Sequence, residues 1–268
     1  MSTTLRLLYI GDVVGKAGRA AVTALVPGLR EQLQLDVVLM NAENMAHGNG
    51  ISTVTVTEMV TSGVDYFSSG NHVWDNKDGV QYLHRSDAKV IRPANLPPTN
   101  PGKGWIEFEI GSKRVLLINV LGQVFMPQQA DNPFHCLDAI LQTHPAKNYH
   151  AIIVDIHAEA TSEKQALAQY LDGRVSLVVG THTHVPTADL RILSHGTGLV
   201  CDLGFVGVAD AVLGANKTKV LHRFLTQMPG ALSPAETGQV LFNSVLFEID
   251  PVTRQTVRME RVDRAIEL

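Results

Sequence analysis

Two histidines spaced two residues apart follow a short apolar run in the second half of the chain. The run Val175-Ser176-Leu177-Val178-Val179 leads directly into Gly180-Thr181-His182-Thr183-His184. An apolar run of this length predicts a buried strand, so both imidazoles would lie where the strand meets its loop. Neutral imidazole is a common metal ligand, and the pair therefore predicts a metal site. A pair of surface histidines is the alternative for an isolated His-x-His.

Four other apolar runs end in side chains of the same chemical kind. The carboxyl ends of strands in an α/β sheet meet along one edge, where ligands gather. A single aspartate at such an end is usually a helix cap. Five endings with complementary carboxylate, amide and imidazole groups instead predict one shared site. The four runs are 7–10 before Gly11-Asp12, 37–40 before Asn41-Ala42-Glu43-Asn44, 66–69 before Gly70-Asn71-His72, and 152–154 before Asp155-Ile156-His157.

The elements that would position these groups alternate between strand and helix as far as about residue 92. Apolar residues recur at helical spacing over 16–33, where Pro27 should bend or split the helix, and again over 54–61 and 77–83. A hairpin is predicted for 105–110 and 114–121, turning near Gly111. Later expectations are helices over 162–171, begun by Ser162, and 217–228, and strands over 190–193, 199–201, 240–249 and 256–262.

The chain reads as a single domain over 1–268, with one region that interrupts the alternation. A Pro-rich stretch occupies 92–102, and residues 124–132 carry no recognisable element although they have the length of a functional loop. Residues 92–135 are therefore a candidate cap or loop over the site.

Composition limits the classes of protein that need considering. The 268 residues are 45% hydrophobic and 18% charged, as in an ordinary globular protein. A formal net charge of −4 gives no support for extended nucleic-acid binding. No apolar run approaches a membrane span or a secretory leader, which predicts a cytoplasmic protein with no membrane partner. Cys136 and Cys201 lack C-x-x-C spacing and are expected to be reduced structural thiols.

The motifs together resemble the YmdB-like branch of the calcineurin-like metallophosphoesterases. The resemblance runs from about residue 5 to about residue 250, nearly the whole chain. It implies an α/β fold, namely an α/β sandwich of two mixed sheets flanked by helices, and a metal-dependent phosphoric diester hydrolase. The segments that carry it are 10–15 (Ile-Gly-Asp-Val-Val-Gly), 41–44, 70–72, 157–164 (His-Ala-Glu-Ala-Thr-Ser-Glu-Lys) and 180–184.

The branch differs from the wider superfamily at two motifs, and this chain shows both differences. The superfamily opens with Asp-x-His, whereas Asp12-Val13-Val14 has no histidine at the third place. The second motif is Asn41-Ala42-Glu43-Asn44 rather than Gly-Asp-x-x-Asp. Both features favour the YmdB-like branch over ordinary protein phosphatases.

The resemblance also implies a ligand set and a general acid. Nitrogen and oxygen ligands without thiolate indicate iron, manganese, zinc or magnesium, and two ions about 3.5–4 Å apart need a bridging carboxylate. Iron is the metal that the resemblance favours, with manganese next. His72 would be the catalytic acid that protonates the leaving oxygen. The implied ligands are Asp12, Asn44 and His184 for one ion, Asn71, His157 and His182 for the other, and Glu43 as the bridge.

The expected reaction is attack of a metal-bridging hydroxide on a phosphodiester. The resemblance points to 2′,3′- or 3′,5′-cyclic nucleotides as small-molecule substrates. Two alternatives stay open: a phosphomonoesterase acting on nucleotides or phosphoproteins, and a regulatory or RNA-associated protein whose metal site is a binding surface. Exposed strand edges near the termini make a homo-oligomer reasonable.

Three residues near the motifs have two interpretations each. Asp155 could orient His157 or simply bond a backbone amide. Glu159 could support the site or begin the next loop. His47, in a Gly-rich stretch, could approach a phosphate or be an exposed loop histidine. No chemistry can be attached to 204–207, and surface or structural roles are expected for His84, His135, His144, His150, His195 and His222.

Overall fold

The computed structural model of the chain describes residues 4–267. Residues 1–3, part of the segment expected to lead into the first strand, lie outside it, as does residue 268. The strands are β1 (Leu5–Ile10), β2 (Asp12–Val13), β3 (Val37–Asn41), β4 (Tyr66–Ser68), β5 (Trp105–Ile110), β6 (Lys113–Leu121), β7 (Ala151–His157), β8 (Leu177–Thr181), β9 (Arg191–Ile192), β10 (Gly198–Val200), β11 (Phe205–Val208), β12 (Gln239–Phe242), β13 (Ser244–Ile249), β14 (Thr256–Arg261) and β15 (Arg264–Glu267). The α-helices are α1 (Gly15–Gln32), α2 (Thr53–Thr61), α3 (Lys77–Leu83), α4 (Pro133–Thr143), α5 (Thr161–Leu171) and α6 (Lys217–Thr226), and Ala146–Asn148 forms a 3₁₀ helix.

Two mixed sheets form the central sandwich. The first has strand order β14-β13-β1-β3-β4 and the second β5-β6-β7-β8-β10-β9. In the first, β1, β3 and β4 are parallel, and in the second β6, β7, β8 and β10 are parallel. Strands β3, β6, β7 and β8 are rich in Val, Ile and Leu because they are covered on both faces. The parallel order brings the carboxyl ends of five motif-bearing strands together.

The core between the two sheets is apolar and fully buried. Tyr9, Leu39 and Phe247 of the first sheet pack with Leu117 and Ile153 of the second. Complete burial of such side chains stabilises the fold by about 1.5–3 kcal/mol each. The Tyr9 hydroxyl, which also needs a partner in this interior, donates to Asp155 Oδ2 at 3.1 Å. The sandwich therefore fixes the distance between the two sheets at the edge where the motifs lie.

Helices cover the outer faces of the sandwich. Helices α1 and α2 pack on the first sheet and α4 and α5 on the second. Local signals set several helix starts: Ser52 and Thr55 form a capping box at α2, and Asn132 accepts amide hydrogens at the start of α4. No helix within residues 4–267 has both the length and the apolar character needed to cross a membrane.

A third sheet was not anticipated. It has the order β15-β12-β11-β2 and joins the strand that carries Asp12 to the C-terminal part of the chain. The predicted strand over 240–249 is in fact two strands in different sheets, divided at Asn243. Buried Asn243 lies where the chain passes from one sheet to the other. Its backbone carbonyl accepts from the Gly11 amide, and its backbone amide and side-chain oxygen both bond to Phe205. Periodicity alone does not reveal that one apolar run changes sheets.

Smaller expectations also differ from the structure. Helix α1 is not split by Pro27, which lies on its exposed side, where the carbonyl that loses its donor can be hydrated. Helix α5 begins after Ala160 rather than at Ser162. Helix α4, with strands β2, β11 and β15, had no counterpart in the sequence prediction.

Candidate metal centre

Seven side chains of the expected ligand set lie together at the carboxyl ends of the parallel strands. Glycine supports this convergence at one point: a Cβ on Gly70 would lie 2.2 Å from Glu43 Oε2 and 2.4 Å from His157 Nε2. Only a residue without a side chain fits there. The seven are Asp12 of β2, Glu43 and Asn44 after β3, Asn71 after β4, His157 at the end of β7, and His182 and His184 after β8.

One ring nitrogen is the focus of the first half of the cluster. His157 Nε2 lies 3.1 Å from Glu43 Oε1, 3.0 Å from Asn71 Oδ1 and 3.0 Å from His182 Nδ1. A ring nitrogen holds at most one proton, so it cannot satisfy three such neighbours by hydrogen bonding. Ligand atoms of Glu43, His157 and His182 all lie within 4.8 Å of one another, close enough to share a cation.

The second half of the cluster contains an unsatisfied carboxylate oxygen. Asp12 Oδ1 is buried and accepts no hydrogen bond from any residue in 4–267. It lies 3.9 Å from His157 Nδ1 and 4.0 Å from His184 Nε2. Because an unpaired buried acceptor is costly, a cation would be a suitable partner for this oxygen.

Glu43 and Asn44 connect the two halves. Asn44 Nδ2 lies 3.2 Å from Glu43 Oε1 and 3.2 Å from His184 Nε2. A flip of the amide would exchange its nitrogen for the oxygen that a metal requires. Glu43 Oε1 thus faces both His157 and Asn44, the position that a bridging carboxylate needs. The donor set and its geometry fit a pair of cations.

Burial and charge shift the ionisation of these groups. Burial raises the pKa of Asp12 well above its usual value, although His157 opposes this. Burial would also raise the pKa of Glu43 and lower that of His157, but their mutual attraction dominates, so the pKa of Glu43 falls and that of His157 rises. Burial and the charge of His157 lower the pKa of His182 to about 4. Neutral His182 is therefore ready to act as a ligand.

A chain of hydrogen bonds supports His157. His157 Nδ1 lies 2.9 Å from Thr181 Oγ1, and the Thr181 hydroxyl donates to Asp155 Oδ1 at 2.8 Å. Asp155 also accepts the hydroxyls of Tyr9 and Ser68. Asp155 therefore reaches the imidazole through Thr181 rather than directly, a connection that the sequence order hides because Thr181 belongs to another strand. Such partners fix the orientation of metal-binding histidines.

Glu159 also reaches the cluster. Its Oε2 lies 3.3 Å from His182 Nε2, while the side chain remains half exposed. The contact places a carboxylate at the rim of the cluster, and a supporting role for Glu159 stays a prediction.

His72 lies at the rim with a carboxylate partner that sequence reasoning missed. Its Nδ1 is 2.7 Å from Asp75 Oδ2, and its backbone amide donates to Glu43 Oε2 at 3.2 Å. The Asp75 contact occupies Nδ1 and leaves Nε2 for another partner. The signal was present in the sequence as an aspartate three residues after the histidine.

A cavity of about 580 Å³ opens beside the cluster. Glu43, His72 and His184 line one side. The other side is formed by part of the segment 209–238, the excursion between β11 and β12 that includes α6 and is called here the α6 excursion. His47 lines the cavity too, and His184 Nδ1 lies 3.0 Å from Leu213 O. Sequence reasoning did not assign the α6 excursion to the site.

The region 92–135 meets the site from another direction. Gln128 Nε2 donates to the backbone carbonyl of Asn71 at 3.3 Å. The residues lining the 580 Å³ cavity do not come from this region. Its role as a cap stays a prediction.

Proteins of known structure share this architecture. A phosphatase of Mycoplasma pneumoniae superposes with a TM-score of 0.92 at 33% identity, covering 100% of this chain and 95% of that one. The NAD nucleotidase of Haemophilus influenzae shares the fold alone, with a TM-score of 0.61 at 13% identity, over 98% of this chain and 56% of that one. These similarities confirm the expected α/β fold class.

Sequence comparison narrows this class to one family. The YmdB-like protein family matches residues 8–262, and the chain belongs to that family. A curated relative, the 2′,3′-cyclic-nucleotide 2′-phosphodiesterase of Bacillus subtilis (strain 168), is 40% identical over 258 residues, which are 96% of each chain. The expected family and the expectation of a phosphoric ester hydrolase are therefore confirmed.

Proposed function

We propose that the protein is a dinuclear metal-dependent phosphodiesterase that hydrolyses cyclic nucleotides. The observation that carries the proposal is the convergence of Glu43, Asn71 and His182 on His157 Nε2, next to the unpaired oxygen of Asp12. The cavity beside this cluster supports it, since about 580 Å³ lies within the roughly 300–1,000 Å³ of small-molecule sites. The name of the Bacillus subtilis relative supports the choice of 2′,3′-cyclic nucleotides, with 3′,5′-cyclic nucleotides as a second substrate class.

The proposed ligand assignment follows the two halves of the cluster. Asn71, His157 and His182 would hold one ion, and Asp12, Asn44 and His184 the other, with Glu43 between them. Imidazole, carboxylate and amide ligands suit iron, our first choice, and also manganese, zinc or magnesium. When bound, such ions supply Lewis acidity that neutralises phosphate charge and lowers the pKa of a water molecule.

We assign the role of proton donor to His72. Asp75 holds Nδ1 at 2.7 Å, so the ring presents Nε2 to the cavity that it lines. A protonated Nε2 would give its proton to the departing alkoxide oxygen as the P–O bond breaks. Asp75 would hold the ring in this orientation during that transfer.

The wall opposite the cluster has the character of a nucleoside site. Leu213, Leu232 and Pro234 present apolar surface to the cavity, and Arg223 lines it from α6. Among the described residues, the guanidinium of Arg223 has no ion pair. A free guanidinium beside an apolar wall suits a base with carbonyl and ring-nitrogen acceptors.

Replacing the proposed bridge tests the function. We expect wild type to hold about two transition-metal ions per chain and to cleave 2′,3′-cyclic AMP or 3′,5′-cyclic AMP. Glu43→Ala should lose both ions and turnover, as measured by elemental analysis and product chromatography. Glu109→Ala, which replaces an exposed glutamate of β5, is the matched control and should keep both. A wild type that stays metal-free and inactive after iron or manganese loading would overturn the proposal.

A phosphomonoesterase is the second candidate, because the similar structure from Mycoplasma pneumoniae is described as a phosphatase. Turnover of bis(p-nitrophenyl) phosphate and p-nitrophenyl phosphate by metal-loaded protein separates the two. Preference for the diester supports the phosphodiesterase, and preference for the monoester supports the phosphatase. Turnover of neither would favour the regulatory or RNA-associated alternative.

A further inference from the structure

A buried ion pair lies outside the proposed ligand set. Lys164 of α5 and Asp202, which follows β10, are 2% and 1% exposed, and Lys164 Nζ lies 2.9 Å from Asp202 Oδ2. Removing two charges from water costs free energy that hydrophobic residues of similar size would not. A pair buried to this extent therefore calls for a role beyond filling space.

Both members bond to the segment that carries two of the proposed ligands. Lys164 Nζ donates to the carbonyl of Thr181 at 2.8 Å, immediately before His182. Asp202 Oδ2 accepts from the Thr183 amide at 3.1 Å and the Thr183 hydroxyl at 2.8 Å, between His182 and His184. The two charged side chains thus form hydrogen bonds to the backbone on either side of His182.

The backbone of this segment is strained at His182 and His184. His182 has φ of 100° and His184 has φ of 63°, in the left-handed region that residues with a side chain seldom adopt. Strain of this kind persists only when surrounding contacts impose it, and it is concentrated at functional sites. In this segment it directs two imidazoles toward Asn44 and His157.

Close packing fixes the base of the same segment. A Cβ on Gly180 would lie 1.8 Å from the Cys201 carbonyl oxygen and 2.8 Å from Lys164 Cδ. The aliphatic part of Lys164 therefore lies directly against the end of β8. The Cys201 carbonyl also packs against Gly180, and Asp202 is the next residue in the chain. Hydrogen bonds therefore link Lys164 and Asp202 to Thr181 and Thr183 in one network.

We propose that Lys164 and Asp202 are positioning residues that hold His182 and His184 in their strained, ligand-competent conformation. This inference rests on the proposed metal site. The alternative is a buried pair that stabilises the fold without any particular effect on the two histidines. The two hypotheses predict different effects of neutralising the ion pair on Mn²⁺ affinity and on hydrogen exchange at residues 181–184.

The main test is the double variant Lys164→Met/Asp202→Asn, which removes both charges and leaves neither one unpaired. Arg6→Met/Glu248→Gln is the matched control, since it neutralises a partly buried pair between β1 and β13. We expect the double variant to bind Mn²⁺ about 10–100-fold more weakly by equilibrium dialysis, the size of effect seen when outer partners of metal ligands are lost. The control should bind Mn²⁺ like wild type, even if its melting temperature falls as far.

A second measurement does not depend on metal. Hydrogen exchange of the metal-free proteins should show faster exchange at residues 181–184 in the double variant, and wild-type exchange there in the control. A wild type that takes up neither Mn²⁺ nor iron would defeat the proposed function, while the exchange result would still decide the role of the ion pair. Wild-type exchange at 181–184 in a folded double variant would overturn the inference, as would wild-type Mn²⁺ affinity where wild type binds the ion.

Thr183→Ala covers the case in which the double variant fails to fold. It removes only the hydroxyl contact to Asp202 and leaves the ion pair in place. We expect a smaller loss of Mn²⁺ affinity than in the double variant, about 5-fold for the net contribution of a single hydrogen bond, together with faster exchange at residues 181–184. Unchanged exchange there would contradict the inference.

Discussion

The proposed metal-binding cluster and the α6 excursion line the same cavity but are built in opposite ways. The cluster consists of residues at strand ends, most of which are buried, among them Asp12 and His157 at 0% exposure. In α6, Val220 is the single buried residue, while Phe224 and Leu225 are largely exposed. Sheet edges fix the groups proposed for chemistry, whereas a surface excursion supplies the opposite wall. Reactivity and substrate selectivity should therefore respond separately to mutation.

Asp12→Asn should have the largest effect, because it changes the cluster alone. Loss of the carboxylate should lower metal content and reduce kcat/KM by about 10³-fold, since charge stabilisation by a metal is worth several kcal/mol. The metal-free variant should be more stable than metal-free wild type at neutral pH, because burial disfavours the ionised carboxylate and raises its pKa, and the neutral amide does not carry that cost.

Elemental analysis, kinetics and thermal melting after chelation measure these three quantities. Asp87→Asn, an exposed carboxylate change, is the control and should leave metal content unaltered. An Asp12→Asn protein with two ions and wild-type turnover would contradict the proposal that the cluster provides the chemistry while the α6 excursion provides substrate selectivity.

His72→Ala should affect the proton transfer and not the ligands. We expect turnover of a cyclic nucleotide, whose leaving oxygen is a poor leaving group, to fall about 10²–10⁴-fold. Bis(p-nitrophenyl) phosphate, with a much better leaving group, should lose far less. Metal content should stay at the wild-type level, and Asp75→Asn should give a smaller loss, about 10-fold, because the imidazole remains.

His84→Ala, a change of an exposed histidine after α3, is the matched control for these kinetics. Equal losses of metal and of turnover in His72→Ala would show that His72 belongs to the metal cluster rather than to proton transfer.

Arg223→Ala should have the smallest effect and should act on the wall alone. KM for a cyclic nucleotide should rise about 10-fold, the value of one hydrogen bond to a charged group, with kcat little changed. The reaction of bis(p-nitrophenyl) phosphate, which has no nucleoside, should be unaffected. Arg254→Ala, remote from the cavity, serves as control. A parallel loss for both substrates would mean that Arg223 contacts the phosphate, and the comparison between cluster and wall would need revision.

The amino-acid sequence by itself determined the chemistry of the cluster. Short apolar runs followed by Asp12, Glu43, Asn71, His157 and His182 predicted both the strands and their shared edge, because parallel strands have their carboxyl ends on one side. Apolar periodicity likewise predicted α2, and two strand-like runs around Gly111 predicted the hairpin of β5 and β6. These features depend on near neighbours in the chain, and a single sequence records such neighbours directly.

The tertiary structure alone decided which distant groups meet. Asp155 reaches His157 through Thr181, Lys164 pairs with Asp202, and Arg223 lies across the cavity from the cluster. Each depends on packing between elements far apart in the chain, and periodicity carries no information on such distances. The break at Asn243, which sends one apolar run into two sheets, has the same origin. The sequence thus specified which side chains could bind a metal, and only the folded sandwich determined what holds them and what faces them.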